Sequence, residues 1–120
     1  MRYMLLIYHD EKLRNKRSEA ENAAIFKEYG ELTESIRRSG ALLAVDPLQP
    51  TSTATTVRGK NGKIITTDGP FAETKEQLGG YYMVEAKNLD EAIAIAARIP
   101  TVRYGGSVEV RPIMELGALK

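Results

Sequence analysis

The sequence has 120 residues, 28% of them charged, and a formal net charge of +1. This length suits one domain with a buried core, and the balanced charge argues against a nucleic-acid-binding surface or an acidic tail. Cysteine is absent, which excludes disulfides, thiolate metal sites and a cysteine nucleophile. The N-terminal apolar run lacks the length and cleavage site of a signal peptide, so we expect a cytoplasmic domain over residues 1–120 with no membrane contact.

The N-terminal third predicts a strand followed by a long helix. Tyr3 to Tyr8 are continuously apolar or aromatic, which is typical of a buried strand. Residues 11–17 are polar without a period, and we expect a loop there. Ser18 and Glu21 form a capping-box pattern that begins the helix, and Gly40 is its natural end.

The long helix carries one apolar stripe at helical spacing, which we expect to face a sheet. The stripe consists of Ile25, Tyr29, Leu32 and Ile36, widened by Ala24 and Phe26. After the helix, residues 41–45 predict a short strand that Asp46-Pro47 ends.

A hairpin and a further strand are expected in the middle of the chain. Thr53 to Arg58 and Lys63 to Thr67 are rich in β-branched residues and flank an Asn61-Gly62 turn pair. The hairpin's polar character places one of its faces in water. Residues 81–86 predict the next strand.

The C-terminal third predicts a second helix and a last strand. Asn88 with Glu91 caps the helix, and its expected inward positions are Leu89, Ala92, Ile93 and Ala96. Ser107 to Met114 alternates as a strand, with Val108 and Val110 on one side and Glu109 and Arg111 on the other.

With the hairpin set apart, the order is β-α-β-β-α-β. This is the ferredoxin-like α+β arrangement, an antiparallel sheet with both helices on one face. The uncovered face is expected to be too apolar for solvent. Met4, Leu6 and Tyr8, or their neighbours of opposite parity on the strand, are available to it together with Val84 and Val110. Two copies packed sheet to sheet would cover this face, so we expect a homodimer.

The stretch from Thr66 to Tyr82 reads T-T-D-G-P-F-A-E-T-K-E-Q-L-G-G-Y-Y. It opens on an Asp68-Gly69-Pro70 turn signal, and we expect an ordered loop pinned by the apolar Phe71. Gly79-Gly80 precedes a strand rather than a helix, so it predicts a bulge or a close backbone approach instead of a phosphate loop.

Several segments together resemble the DGPF group of the YCII-related proteins. They are M-R-Y-M-L-L-I-Y at residues 1–8, T-D-G-P-F-A-E-T-K-E-Q-L-G-G-Y-Y at 67–82, L-D-E-A at 89–92 and V-E-V-R-P-I at 108–113. The resemblance implies a dimeric α+β barrel. Members of this group commonly lack an established activity and are often encoded beside, or fused to, extracytoplasmic-function sigma factors, which implies a regulatory or accessory role.

A pair of residues suggested to be catalytic in the wider YCII family does not carry over. That pair is a histidine in the first helix and an aspartate just before the proline that follows the second helix. Residues 18–39 contain no histidine, and Ile99 precedes Pro100. The resemblance therefore supports the fold more than it supports catalysis.

His9 and Asp68 are candidates for proton transfer, and a tyrosine is a further alternative. His9 is the only histidine and could be a general base near neutral pH, or simply an exposed residue at a strand end. Asp68 could hold a ligand or a proton, or could fix the turn by accepting from backbone amides.

Ligand binding has further candidates. Besides Asp68 they are Phe71, as a platform for a ring or merely an anchor, Tyr82, through its phenol, and Arg111, through its guanidinium. Tyr81 and Tyr104 could line the same pocket. Arg111 would need a partner, for which Glu109 is the nearest candidate.

Two classes of function stay open. One is a small-molecule-binding or accessory protein; the other is a cofactor-independent enzyme acting on a small polar or aromatic substrate. We expect no metal and no cofactor. RNA binding is disfavoured because the strands lack the paired aromatic and basic residues of an RNA-recognition sheet.

Overall fold

A computed structural model describes residues 1–119. Within them the strands are Arg2–His9 (β1), Leu42–Pro47 (β2), Thr55–Lys60 (β3), Lys63–Asp68 (β4), Gln77–Glu85 (β5) and Ser107–Pro112 (β6). The α-helices are Glu11–Lys16 (α1), Glu19–Ser39 (α2) and Leu89–Ala96 (α3), and 3-10 turns lie at Thr51–Thr53, Pro100–Arg103 and Leu116–Leu119. None of the helices in this part of the chain combines the length and apolarity needed to cross a bilayer.

The main sheet has the strand order β2-β5-β1-β6, with antiparallel neighbours throughout. β3 and β4 pair only with each other among the described strands, as a separate two-stranded hairpin. The predicted α+β class and the antiparallel sheet are therefore confirmed.

One face of the main sheet forms the core with the helices. The side chains of β1 alternate, so that Tyr3, Leu5 and Ile7 are buried. Leu5 lies opposite Tyr82 on β5 and opposite Val110 on β6. The helices add Leu32 and Ile36 from α2 and Ala92 and Ala96 from α3 to the same core. Both helices thus cover the same face.

The opposite face of the sheet, here called the open face, carries Met4, Leu6, Tyr8, Tyr81 and Met83. These five residues are half-buried, and they alternate with the core positions of β1 and β5. No helix packs on this face within residues 1–119.

The expectation that Val84 and Val110 lie on the open face is wrong. Val84 is opposite Tyr3, and Val110 is opposite Leu5. Because paired residues of an antiparallel sheet point to the same side, both valines face the helices.

Residues 11–16 form a helix, so the predicted loop is wrong there. Asp10 caps the first turn by accepting a hydrogen bond from Lys12 N at 2.9 Å. The Glu11 amide donates to Gln77 Oε1 at 2.9 Å, which ties α1 to the start of β5. A helix this short and polar has no apolar period to reveal it.

The capping box and the end of α2 are as predicted. Ser18 and Glu21 exchange both hydrogen bonds, and Gly40 adopts φ 83° at the C-terminal end. The predicted stripe holds only in its second half: Leu32 and Ile36 are buried, whereas Phe26 is 77% exposed. Ala24 is exposed as well. The N-terminal half of α2 therefore extends past the core.

α3 packs through its smallest side chains. Ala92 and Ala96 are buried, but Leu89 and Ile93 are about half exposed, so two of the four predicted inward positions are wrong. The alanines bring the helix close to the sheet and leave the larger neighbours at the sides. On β6, the predicted alternation is confirmed, with Val108 and Val110 packing against the core.

The β3–β4 hairpin, here called the arm (residues 55–68), projects from the rest of the molecule. Asn61 and Gly62 have φ values of 52° and 75°, as the predicted turn requires. Val57 and Ile64 are 62% and 75% exposed. The radius of gyration is 16.5 Å, against about 14 Å for a compact domain of this length.

The corner after the arm is not pinned by Phe71, which is 73% exposed. Instead, Gly69 N donates to Ala54 O and Thr56 Oγ1 donates to Gly69 O, both at 2.8 Å. Arg58 Nη2 also donates to Phe71 O at 2.9 Å. One backbone hydrogen bond and two from side chains to backbone carbonyls therefore supply the order that the aromatic side chain was expected to supply.

Candidate functional site

A cleft of about 770 Å³ opens between α2 and the main sheet. β1 and β5 form its floor, α2 from Asn22 to Arg37 forms its roof, and the segment from Val45 to Pro50 forms one side. We call the part lined by Arg14 of α1, Arg17 and Tyr104 its entrance, because Arg14 and Tyr104 are exposed. The cleft exists because the first half of α2 overhangs the sheet instead of packing on it.

Gly30 lies in the roof, in the middle of α2. Glycine inside a helix costs about 0.5–1 kcal/mol relative to alanine. A Cβ at this position would have no atom within 4 Å. Close packing therefore does not require the glycine, and its effect is to leave room in the cleft.

Hydroxyl groups connect the floor of the cleft to its roof. Thr33 Oγ1 donates to Tyr29 O at 2.8 Å and lies 2.7 Å from the Tyr82 hydroxyl. Because the single Thr33 proton is already donated, the Tyr82 O–H is the donor to Thr33. Burial raises the pKa of Tyr82 above its usual value, so the phenol stays protonated at neutral pH.

His9 ends β1 at the wall of the cleft and is half-buried. Burial lowers the pKa of its imidazole, with the nearby Glu11 carboxylate opposing the shift and the Arg14 and Arg17 guanidinium groups adding to it. The imidazole is therefore neutral at pH 7, with one nitrogen able to donate and one able to accept.

A bulge in β5 makes room for His9. Ile7 pairs with Gly80 and Tyr8 pairs with Leu78, so Gly79 is the extra residue. The predicted irregularity at Gly79-Gly80 is confirmed. A Cβ at Gly80 would lie 2.9 Å from Asp46 O, so this glycine allows the close approach of β2.

Arg17, Tyr104 and Glu28 form a connected group at the entrance. Arg17 lies over the Tyr104 ring, 5.6 Å from its centroid, and donates to Tyr104 O at 2.9 Å. The Tyr104 hydroxyl donates to Glu28 Oε2 at 2.7 Å, and this bond lowers the pKa of the Glu28 carboxyl. Tyr104 thus holds the Arg17 guanidinium in place through its ring face and its backbone carbonyl.

The structure brings His9 and Tyr82 together in the cleft, along with Tyr104. Tyr81 also borders the cleft, although its position on β5 opposite Leu6 belongs to the open face. It separates the other predicted site residues from them: Asp68 ends β4 on the exposed arm, and Phe71 follows it. These two residues do not line the cleft.

Arg111 is also apart from the cleft, on the open-face side of β6 opposite Met4. Its Nε donates to Glu109 Oε2 at 2.7 Å, as the spacing of the two residues predicted. A guanidinium already paired with a carboxylate has less charge to offer a ligand.

Most lining residues were not predicted as site residues from the sequence, among them Arg14, Arg17, Gly30 and Thr33. The arginines lie in the segment interpreted as a loop, where charged side chains are ordinary. Gly30 carried the one available signal, since a glycine in the middle of a well-capped helix needs a reason.

The fold and the cleft define a two-layer α+β domain with a ligand-sized cavity at one end of its sheet. The chain belongs to the YCII-related domain family, whose model matches residues 1–117. It is also similar to an uncharacterized protein of Rhizobium meliloti (strain 1021), with 38% identity over 114 residues, covering 94% of this chain and 92% of that protein. The resemblance to YCII-related proteins is thereby confirmed.

Proposed function

We propose that this chain is a homodimeric binding protein for a small organic molecule, with one ligand cleft in each subunit. The observation that carries the proposal is the cleft between α2 and the sheet, which is lined by apolar side chains together with a few polar groups.

The size and lining of the cleft support ligand binding. Its volume of about 770 Å³ falls within the roughly 300–1,000 Å³ of typical small-molecule sites. Ile25, Val45 and Leu48 supply apolar surface, while His9 and Tyr82 supply groups that can orient a ligand. A cleft with this composition favours a ligand that has both a hydrophobic body and polar substituents.

A cofactor-independent enzyme is the second candidate, and His9 favours it. Its imidazole is half-buried in the cleft wall, and burial keeps its pKa below the usual value, so it is available as a base at neutral pH. Binding is preferred because Asp68, the other candidate for proton transfer, lies outside the cleft. His9 therefore has no candidate acid partner from the sequence analysis beside it.

The open face supports the homodimer. Met4, Leu6 and Met83 form an apolar centre there, and a second copy would cover the same residues on both subunits, as a two-fold interface requires. The strand order β2-β5-β1-β6 supports the ferredoxin-like arrangement, and two such sheets packed face to face would form the dimeric α+β barrel that the resemblance implies.

The arm gives the dimer a second source of support. A lone two-stranded hairpin is at best marginally stable in water, and this one exposes Val57 and Ile64. A partner subunit would supply the missing cover. We also propose an accessory or regulatory role beside a sigma factor, as the resemblance to the DGPF group implies.

A thermal-shift screen with metabolite mixtures tests the binding function, because a ligand that binds only the folded state raises the melting temperature. Gly30→Leu is the control variant in which the cleft is blocked. The leucine side chain enters the cleft, and leucine favours the helix, so the fold is retained. A metabolite that stabilises the wild type and not this variant supports the proposal. A screen without a stabilising metabolite, or shifts that persist in the variant, would contradict it.

Incubation of an identified ligand with the protein, followed by mass spectrometry, separates the two candidates. Product formation that His9→Gln abolishes would replace the binding role by the enzymatic one. An unchanged ligand supports the binding protein.

A further inference from the structure

Two guanidinium groups at the entrance of the cleft, those of Arg14 and Arg17, have no carboxylate partner among the described residues. The third arginine of the cleft lining, Arg37, is paired with Glu34 at 2.7 Å. Arg17 donates only to the neutral carbonyl of Tyr104. Neither guanidinium therefore forms an ion pair within 4 Å in the described part of the chain, although the Glu21 carboxylate lies within electrostatic range of Arg17.

The acidic side chains around this end are already engaged elsewhere. Asp10 accepts from Lys12 N as the cap of α1. Glu11 accepts from Thr51 N at 3.0 Å and from Thr51 Oγ1 at 2.6 Å. Asp46, on the far side of the cleft, accepts from the Tyr81 hydroxyl at 2.7 Å. Each carboxylate has a structural hydrogen bond that a move towards the arginines would break.

We infer that the cleft binds an organic acid, whose carboxylate is held by Arg14 and Arg17 and whose apolar body lies between α2 and β2. Guanidinium groups match carboxylates in geometry and charge. Tyr104 holds Arg17 in place by stacking under it, so less side-chain freedom is lost on binding. The inference rests on the proposed function, because it names the ligand class of the same cleft.

The remainder of the cleft favours an apolar body of ring size. Ile25 and Phe26 from α2 line the cleft together with Val45 and Leu48, and Phe26 is 77% exposed. An aromatic or alicyclic acid would cover these side chains. A free phosphate would leave them in water, and α1 offers it no free N-terminus, because Asp10 already caps that helix.

His9 supplies a neutral hydrogen-bonding group near the two arginines, since both guanidinium groups act on the pKa of its imidazole. The neutral imidazole can donate or accept. A hydroxyl or amino substituent near the carboxylate of the acid would meet it, whereas Tyr82, which is 1% exposed, is part of the floor.

The experiment compares 2-naphthoate with 2-naphthamide, two probes of nearly equal shape that differ in charge. Calorimetric titration of the wild type is expected to give about tenfold or tighter binding of the carboxylate, since hydrogen bonds to charged groups are the stronger ones. The double variant Arg14→Gln/Arg17→Gln is expected to bind both probes equally.

The control is Arg38→Gln, which removes one positive charge from α2 outside the cleft lining and is expected to keep the preference. Circular dichroism checks that each variant is folded. Equal binding of both probes by the wild type, a preference that survives the double variant, or no binding of either probe overturns the inference.

The proposed function fails in a different way. If the probes bind equally but Gly30→Leu abolishes both, the cleft is a ligand site without a preference for acids. If the probes bind equally well to Gly30→Leu, the cleft is not the site, and the inference and the proposed function fall together.

Discussion

The imidazole of His9 occupies the space beside Gly79 in which any other residue would place its Cβ. That atom would lie 2.7 Å from His9 Cδ2 and closer still to Nε2. The bulge in β5 and the missing side chain at Gly79 together create the position of His9 at the cleft wall.

Gly79→Ala is therefore expected to destabilise the protein by about 1–3 kcal/mol, the usual cost of overpacking. Urea denaturation measures the change. In a His9→Ala background the same substitution should cost much less, because the clashing ring is gone. An equal cost in both backgrounds would show that Gly79 is needed for another reason.

The free energy of unfolding is expected to decrease as the pH falls. The decrease begins near pH 6.5, which is about the ordinary pKa of histidine, and continues through the lower pKa of folded His9. Burial depresses that pKa, so the unfolded chain binds the proton first and protonation favours unfolding. NMR titration of His9 gives the folded pKa directly.

Urea midpoints between pH 5 and pH 8 measure the effect on stability, and His9→Gln serves as the control. The stability of His9→Gln should depend less on pH over this window. The variant retains the charged neighbours of position 9, which are Asp10, Glu11, Arg14 and Arg17. Identical profiles for the two proteins would assign the pH dependence to other groups.

Gly30→Ala is expected to stabilise the protein by about 0.5–1 kcal/mol, because α2 gains a better helix former and the new Cβ meets no neighbour within 4 Å. Gly30→Leu should keep most of this gain and lose the ligand. Thermal unfolding and ligand titration measure the two effects.

The matched control for Gly30 is Ala23→Leu, an exposed position of α2 outside the cleft lining, which should leave binding intact. If Gly30→Ala lowered the melting temperature, the glycine would be needed for the stability of the fold and not for leaving room for a ligand.

Tyr82→Phe is expected to cost about 1 kcal/mol, the net value of a buried hydrogen bond, because it removes the bond to Thr33 Oγ1. Tyr82 is 1% exposed, so water does not replace the lost donor easily. Thr33→Val in the Tyr82→Phe background completes a double-mutant cycle. Additive costs in that cycle would mean that the two hydroxyls are not coupled.

Leu6→Glu is expected to convert the proposed homodimer into a monomer, because it places a charge in the middle of the open face. Light scattering after size-exclusion chromatography measures the mass. Ile93→Glu is the control, since Ile93 is about half exposed on α3, away from the open face. A wild type with the mass of one chain would remove the dimer from the proposal.

The sequence determined the elements whose signals are local. The capping box of Ser18 and Glu21, the end of α2 at Gly40 and the hairpin turn at Asn61-Gly62 are confirmed. In each case a short-range hydrogen bond or a positive φ decides the conformation, so neighbouring residues suffice to predict it.

The tertiary structure decided which apolar residues are covered and which polar residues meet. Phe26 and Phe71 look like core residues in the sequence and are exposed, because burial depends on which distant segment packs above them. α1 forms through Asp10 and through the contact of Glu11 with Gln77, a residue far along the chain. The cleft follows the same rule: His9, Arg17 and Tyr82 meet because β1 pairs with β5 and α2 overhangs both, and no local pattern encodes that pairing.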